Sequence, residues 1–153
     1  MTSNKKEKLL ISSAKSIMEN NIENSNKLVN YTFDKKWIAE TEDILDLYSK
    51  TDENFPHVSV VVADNIGNSK VFLGFRNYYE EENDSIPLAK KAFIQETSGE
   101  EREYLKSVFY KNVNDIRFSA NDGRYELYYP YFKDGKKIVL YFSDYQRYGK
   151  IGS

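Results

Sequence analysis

Between Lys5 and about Tyr31 the apolar residues Leu10, Ala14, Ile17, Met18 and Ile22 recur at helical spacing, with Lys, Glu and Asn between them. That period predicts an amphipathic helix with a single apolar stripe. Asn20-Asn21, Asn24 and Asn26 weaken its far end, because an Asn side chain competes for backbone hydrogen bonds and prefers caps and turns. The helix is expected to break or fray there. Asp34 reads as the N-cap of a second helix carrying Trp37, Ile38, Thr41, Ile44, Leu45 and Tyr48 at steps of three and four, and stopping before Asp52.

The period then changes. Val58 to Ala63 is a nearly continuous apolar run, the pattern of a central strand covered on both faces. Asn65-Ile66-Gly67-Asn68 turns the chain, and Lys70 to Phe75 returns antiparallel. Asn77 to Asp84, with Tyr78-Tyr79 and Glu80-Glu81-Glu82, reads as a loop. A helical stretch begins near Pro87; Ser98-Gly99 interrupts it, and Tyr104, Leu105, Val108 and Phe109 resume the helical face up to Asn112, so two short helices are expected. From Asp115 to Tyr145 two Asp-Gly turns, at Asn121-Asp122-Gly123 and Asp134-Gly135, separate runs of aromatic and β-branched residues and predict a three-stranded meander.

The order helix, helix, strand, strand, helices, three strands predicts an α+β domain with a five-stranded antiparallel sheet, Val58–Ala63 and Lys137–Phe142 at its middle. The long N-terminal helix should cover one face through Leu10, Ala14 and Ile17, leaving the other for the central helices and a pocket. At 153 residues one domain suffices, with residues 1–50 as its helical part and 57–145 as its sheet and pocket part.

Composition narrows the function. Lys+Arg 22 against Asp+Glu 24 gives a net charge of −2, which supplies no general attraction for nucleic acid. Without cysteine there is no disulfide, thiolate metal site or thiol nucleophile. A single histidine, His57, cannot build a multi-histidine metal centre, and Glu80-Glu81-Glu82 looks like a solvated loop, so neither metal nor cofactor is expected. No G-x-S-x-G marks a strained nucleophile. No apolar run approaches the ~18 residues of a membrane span, and the first residues lack the apolar stretch of a signal peptide.

The excess lies in 13 Tyr and 9 Phe, which can wall a ligand site while offering hydroxyl donors, though strands favour them for packing alone. Strand parity puts Tyr125, Leu127, Tyr129 and Tyr131 on one face, and Glu126, Tyr128, Pro130 and Phe132 on the other, the more mixed set that a polar pocket needs. Arg117, within a strand, and Arg76, just past one, are candidates to clamp a carboxylate with parallel hydrogen bonds. Lys90-Lys91 and Lys136-Lys137 read as surface pairs.

The segments Tyr104-Leu105-Lys106-Ser107-Val108-Phe109, Asp115-Ile116-Arg117-Phe118-Ser119, Tyr125-Glu126-Leu127-Tyr128-Tyr129-Pro130, Asp134-Gly135-Lys136-Lys137-Ile138 and the terminal Asp144 resemble the Cache family, PAS-like extracellular sensor domains of bacterial chemoreceptors and histidine kinases. The resemblance implies a non-enzymatic ligand-binding module that serves signal transduction or chemotaxis on the extracellular or periplasmic face of a membrane receptor. It implies an amino acid or small carboxylate as ligand, a helix movement as output, and a homodimer through the N-terminal helix. It places Asp144 on a ligand amine, with Tyr104, Arg117 and Tyr128 as further contacts and Arg76 near the rim.

Two other classes remain open. One is a cone-shaped pocket enzyme or binding protein similar to the nuclear transport factor 2-like fold, using a carboxylate or His57 as general base, for which a sixth strand would speak. The other is a freestanding cytoplasmic interaction or inhibitor protein, which needs no pocket.

Overall fold

A computed structural model describes residues 3–51, 57–77, 88–121 and 124–145. Helices α1 (Ser3–Asn20), α2 (Ile22–Val29) and α3 (Lys35–Thr51) precede strands β1 (His57–Ile66) and β2 (Ser69–Arg76). A single 3-10 turn (Lys90–Phe93) and helix α4 (Gly99–Lys111) lead to β3 (Arg117–Asn121), β4 (Arg124–Lys133) and β5 (Lys136–Tyr145).

The long N-terminal helix breaks where its asparagines begin. Asn21 leaves helical geometry at φ −128° and ψ 61°. Its Nδ2 donates to the Ile17 carbonyl at 2.8 Å, and the Ser25 hydroxyl donates to the Met18 carbonyl at 2.8 Å. Side chains thus satisfy carbonyls that the end of α1 leaves open. Asp34 caps α3 as its position suggests, accepting the Trp37 N–H at 2.7 Å.

All five strands run antiparallel in the order β2-β1-β5-β4-β3. β5 is therefore central and β1 lies beside it, and the two most evenly apolar runs are both interior. The β4–β5 turn has Asp134 and Gly135 at φ 53° and 78°, both left-handed, as a two-residue type I′ turn requires. Asp122-Gly123 lies outside the described residues. The β1–β2 turn is tighter than its Asn-rich sequence suggests. Strand pairing continues to Ile66 and Ser69, and only Gly67-Asn68 turns, with Gly67 at φ 61°.

The two sheet faces carry separate cores. On the first, Val58, Val60, Val62, Leu73, Phe75, Leu127, Leu140 and Phe142 pack with Leu10, Ala14, Ile17, Leu28, Trp37, Leu45 and Tyr48. Here α3 lies over β1 and β2, while α1 and α2 lie over β4 and β5. On the second face Val61, Phe72, Tyr128 and Val139 pack with Leu105 and Val108 of α4. The alternation of Val60, Val61 and Val62 between the two cores explains why β1 shows no polar alternation of its own.

The β2 edge is covered. Ile94 bridges to Leu73, and the Gln95 N–H donates to the Phe72 carbonyl at 2.9 Å, which satisfies part of an otherwise open edge. Gly74 leaves room for the Gln95 side-chain amide, since a Cβ there would sit 2.0 Å from Gln95 Oε1 unless that side chain turned aside. Lys90 and Lys137 are more tightly held than surface lysines. Lys90 pairs with Asp64 at 3.0 Å, and Lys137 donates to the Val108 carbonyl at 2.7 Å.

Candidate ligand cavity

Helix α4 covers only part of the second face, and towards the Arg124 end of β4 a cavity of about 340 Å³ opens between the sheet, Gln95-Glu96 and the first turn of α4. Its sheet wall consists of His57 and Ser59 from β1, Glu126 from β4, and Tyr141 and Ser143 from β5. These residues alternate with Val58, Val60, Leu127, Leu140 and Phe142, which point into the opposite core. Asn77 and Glu101 close the sides, and Arg76, Arg124 and Glu96 stand exposed at the rim.

Two carboxylates are held in place by neighbouring tyrosines. Glu101 belongs to a capping box: its Oε1 accepts the Ser98 N–H at 2.7 Å while the Ser98 hydroxyl accepts the Glu101 N–H at 3.2 Å. Its Oε2 accepts the Tyr128 hydroxyl at 3.0 Å. Burial alone would raise the Glu101 pKa; the bonds from Ser98 and Tyr128, with Arg117 nearby, outweigh it and hold the group below the usual carboxylate range. Burial, reinforced by the Glu101 charge, pushes the Tyr128 phenol well above its ordinary value, so it stays protonated and donates.

Glu126 accepts the Tyr141 hydroxyl, Arg124 Nη2 at 3.2 Å and, more loosely, the Ser119 hydroxyl at 3.4 Å. The Tyr128 and Tyr141 rings lie 4.6 Å apart on adjacent strands, so the two tyrosine–carboxylate pairs stand side by side.

The five residues singled out from the sequence divide. Arg76 lines the cavity. Tyr128 reaches it through Glu101. Tyr104 lies on the same face but packs its ring 5.4 Å from Tyr128 and donates to the Asp115 carbonyl, which makes it part of the α4 packing. Arg117 pairs with the exposed Glu100 of α4 at 3.5 Å.

Asp144 is not brought together with the others. Opposite Tyr125 in the β4–β5 register, it faces the N-terminal helices and pairs with Lys6 of α1 at 3.2 Å, both side chains being nearly buried. The parity of β5 decides this, since Asp144 shares a face with Leu140 and Phe142. Of the Asn77–Asp84 segment expected to close the pocket, Asn77 lines it and residues 78–84 lie outside the described residues.

Sequence reasoning offered His57 only as the general base of a cone-shaped alternative, and passed over Ser59, Glu101, Tyr141 and Ser143. Glu101 was legible as the third residue after Ser98 in a capping box. The others were legible from parity once Val58 and Leu140 were assigned to the helix-covered face.

No family model, curated protein or solved structure matches this chain. Among the described residues no group of His, Asp and Glu is placed to hold a metal ion. No helix among them is long and apolar enough to cross a membrane.

Proposed function

We propose that the protein is a small-molecule-binding sensory domain of a signalling receptor, with an amino acid or small carboxylate in the second-face cavity and a movement of α1 as output. The cavity carries this reading. Its volume lies at the lower end of the ~300–1,000 Å³ typical of small-ligand sites, and its walls are unusually polar for such a site, which suits a small charged ligand. The route to α1 is one strand long. Tyr141 and Ser143 of β5 face the cavity, while the next residue, Asp144, holds Lys6 of α1. A ligand that shifts the end of β5 acts on both faces at once.

The Cache-like reading, a homodimer through α1 and a place on the outer face of a membrane belong to the same proposal. Leu10, Ala14 and Ile17 are already buried against the sheet, so such a dimer would use other residues of the helix. A pocket enzyme of the cone-shaped kind is less well supported. Its candidate base Glu101 has a lowered proton affinity, which favours binding over proton abstraction.

Thermal-shift screening with amino acids and organic acids tests the proposal. A ligand at ~100 times its Kd stabilises the fold by roughly 2.7 kcal/mol. Arg76→Ala should reduce that gain for a carboxylate-bearing ligand, and a bulky Ser59→Phe should abolish it. Failure of every compound to stabilise the protein, or full retention of the gain in both variants, would remove the cavity as the sensing site.

A further inference from the structure

Carboxylates outnumber cations in the cavity, where Glu96, Glu101 and Glu126 stand against Arg76 and Arg124. An ionised carboxylate offers about four acceptor positions and no donor. Glu101 uses one on the Ser98 N–H and one on Tyr128. Glu126 uses its positions on Tyr141, Arg124 and Ser119. The tyrosine hydrogens are spent on these bonds, and Arg124, the basic group beside Glu126, is paired with it. Arg76 forms no ion pair with a described carboxylate, but it stands exposed at the rim. A second observation also points to a ligand. Ser143 is 3% exposed and lines the cavity, yet its hydroxyl bonds no described residue. The hydroxyl is thus open to the cavity and to nothing else among the described residues.

We infer that the ligand is recognised by an ammonium group seated against the Glu101 and Glu126 carboxylates and the Ser143 hydroxyl. The inference rests on the cavity being the binding site and chooses between the two ligand classes proposed for it. An ammonium group supplies three donors to the open acceptor positions of the two carboxylates, and its charge offsets theirs. A carboxylate without an amine meets like charge at Glu101 and Glu126, and at the rim it finds Arg76 and an Arg124 already paired with Glu126. The ligand's own carboxylate, where it has one, therefore adds affinity through Arg76 but is not required.

The test uses three matched series on the same chain: the common amino acids, the carboxylates in which hydrogen replaces their ammonium group, and the amines left on removal of their carboxylate. Affinities are measured by calorimetry and thermal shift. At least one amino acid and its matching amine should bind, and the amine-free carboxylate should bind at least 30-fold more weakly. Glu126→Gln and Glu101→Gln keep the shape and the acceptor for each tyrosine, and each should weaken the amine at least tenfold. Cooperative urea transitions would show that both variants fold, and Arg76→Ala should weaken the amino acid while sparing the amine.

If an amine-free carboxylate binds as tightly as its amino acid, the ammonium inference is overturned while the cavity remains a ligand site. Amine affinities that survive both Glu→Gln changes overturn it as well. If no member of any series binds, the sensory reading of the cavity falls and the inference falls with it.

Discussion

The two faces of one sheet have opposite fates. The first is closed by α1, α2 and α3 over continuous apolar side chains, with Phe75, Leu127, Leu140 and Phe142 fully buried. The second has a single helix, α4, over Val61, Phe72 and Val139, and beyond it His57, Ser59, Glu126, Tyr141 and Ser143 border a cavity. Alternate residues of the same strands serve both. The first face supplies the burial that stabilises the fold, and this lets the second keep polar groups that contribute little to stability.

Adjacent residues of β5 provide the sharpest contrast. Phe142→Ala should destabilise the protein by about 3–5 kcal/mol, the range for emptying a buried aromatic site. Ser143→Ala, one residue along and equally buried, removes a hydroxyl without a described partner and should change stability by no more than about 0.5 kcal/mol. Urea denaturation of the two variants measures both. Similar losses would mean that the faces are not functionally distinct.

The Lys6–Asp144 pair is the polar exception on the filled face. Lys6→Met should cost about 1–3 kcal/mol, because Asp144 is left nearly buried with a bond to a charged partner removed. A loss within error of zero would also weaken the case for β5 as the link to α1.

The opposite sign is expected at Tyr48. Its hydroxyl is buried in the first core with no well-formed hydrogen bond among the described residues, and burial, only partly offset by the neighbouring Ser25 hydroxyl, pushes its pKa up to about 12. Tyr48→Phe should stabilise the protein by about 1 kcal/mol, since an unsatisfied buried hydroxyl is removed and the ring is kept. A destabilised variant would reveal a partner for that hydroxyl.

The smallest effect is one of pH. Glu101, and on the other face Asp64 bound by Tyr31 and Lys90, both overcome the upward pull of burial and lie below their ordinary values. A depressed carboxylate stabilises the fold above its unfolded pKa, about 4.3 for Glu and 3.9 for Asp, and loses that contribution as pH falls through the folded value. Midpoints should be flat from pH 7 to about 5 and decline below it. Glu101→Gln should shallow the decline, and an unaltered profile would show that Glu101 titrates normally.

The elements were legible from the sequence because their signals are local. Asp34 capped α3, the run of asparagines broke the first helix, Asp134-Gly135 made a type I′ turn, and the parity of β4 placed Glu126 and Tyr128 on the mixed face. Candidate-site residues were less legible. Arg76 and Tyr128 meet the cavity directly or through one bond, while Tyr104 and Arg117 are engaged with α4 and its flank, and Asp144 with Lys6. The type of a side chain signals what it can bind, whereas its partner depends on which element lies opposite. For Asp144 that element was α1, from the far end of the chain.

Hydrophobic period, caps and turn residues thus determined by themselves that this chain forms helices, then two strands, a helix and a three-stranded meander. Each of those signals acts within a few residues and needs no distant contact. Only the tertiary structure decided that α4 leaves part of a sheet face uncovered, and that the Tyr128–Glu101 and Tyr141–Glu126 pairs stand beside one another there. Those placements depend on which apolar surfaces bury one another across the chain, a choice made by long-range packing and invisible to any local pattern.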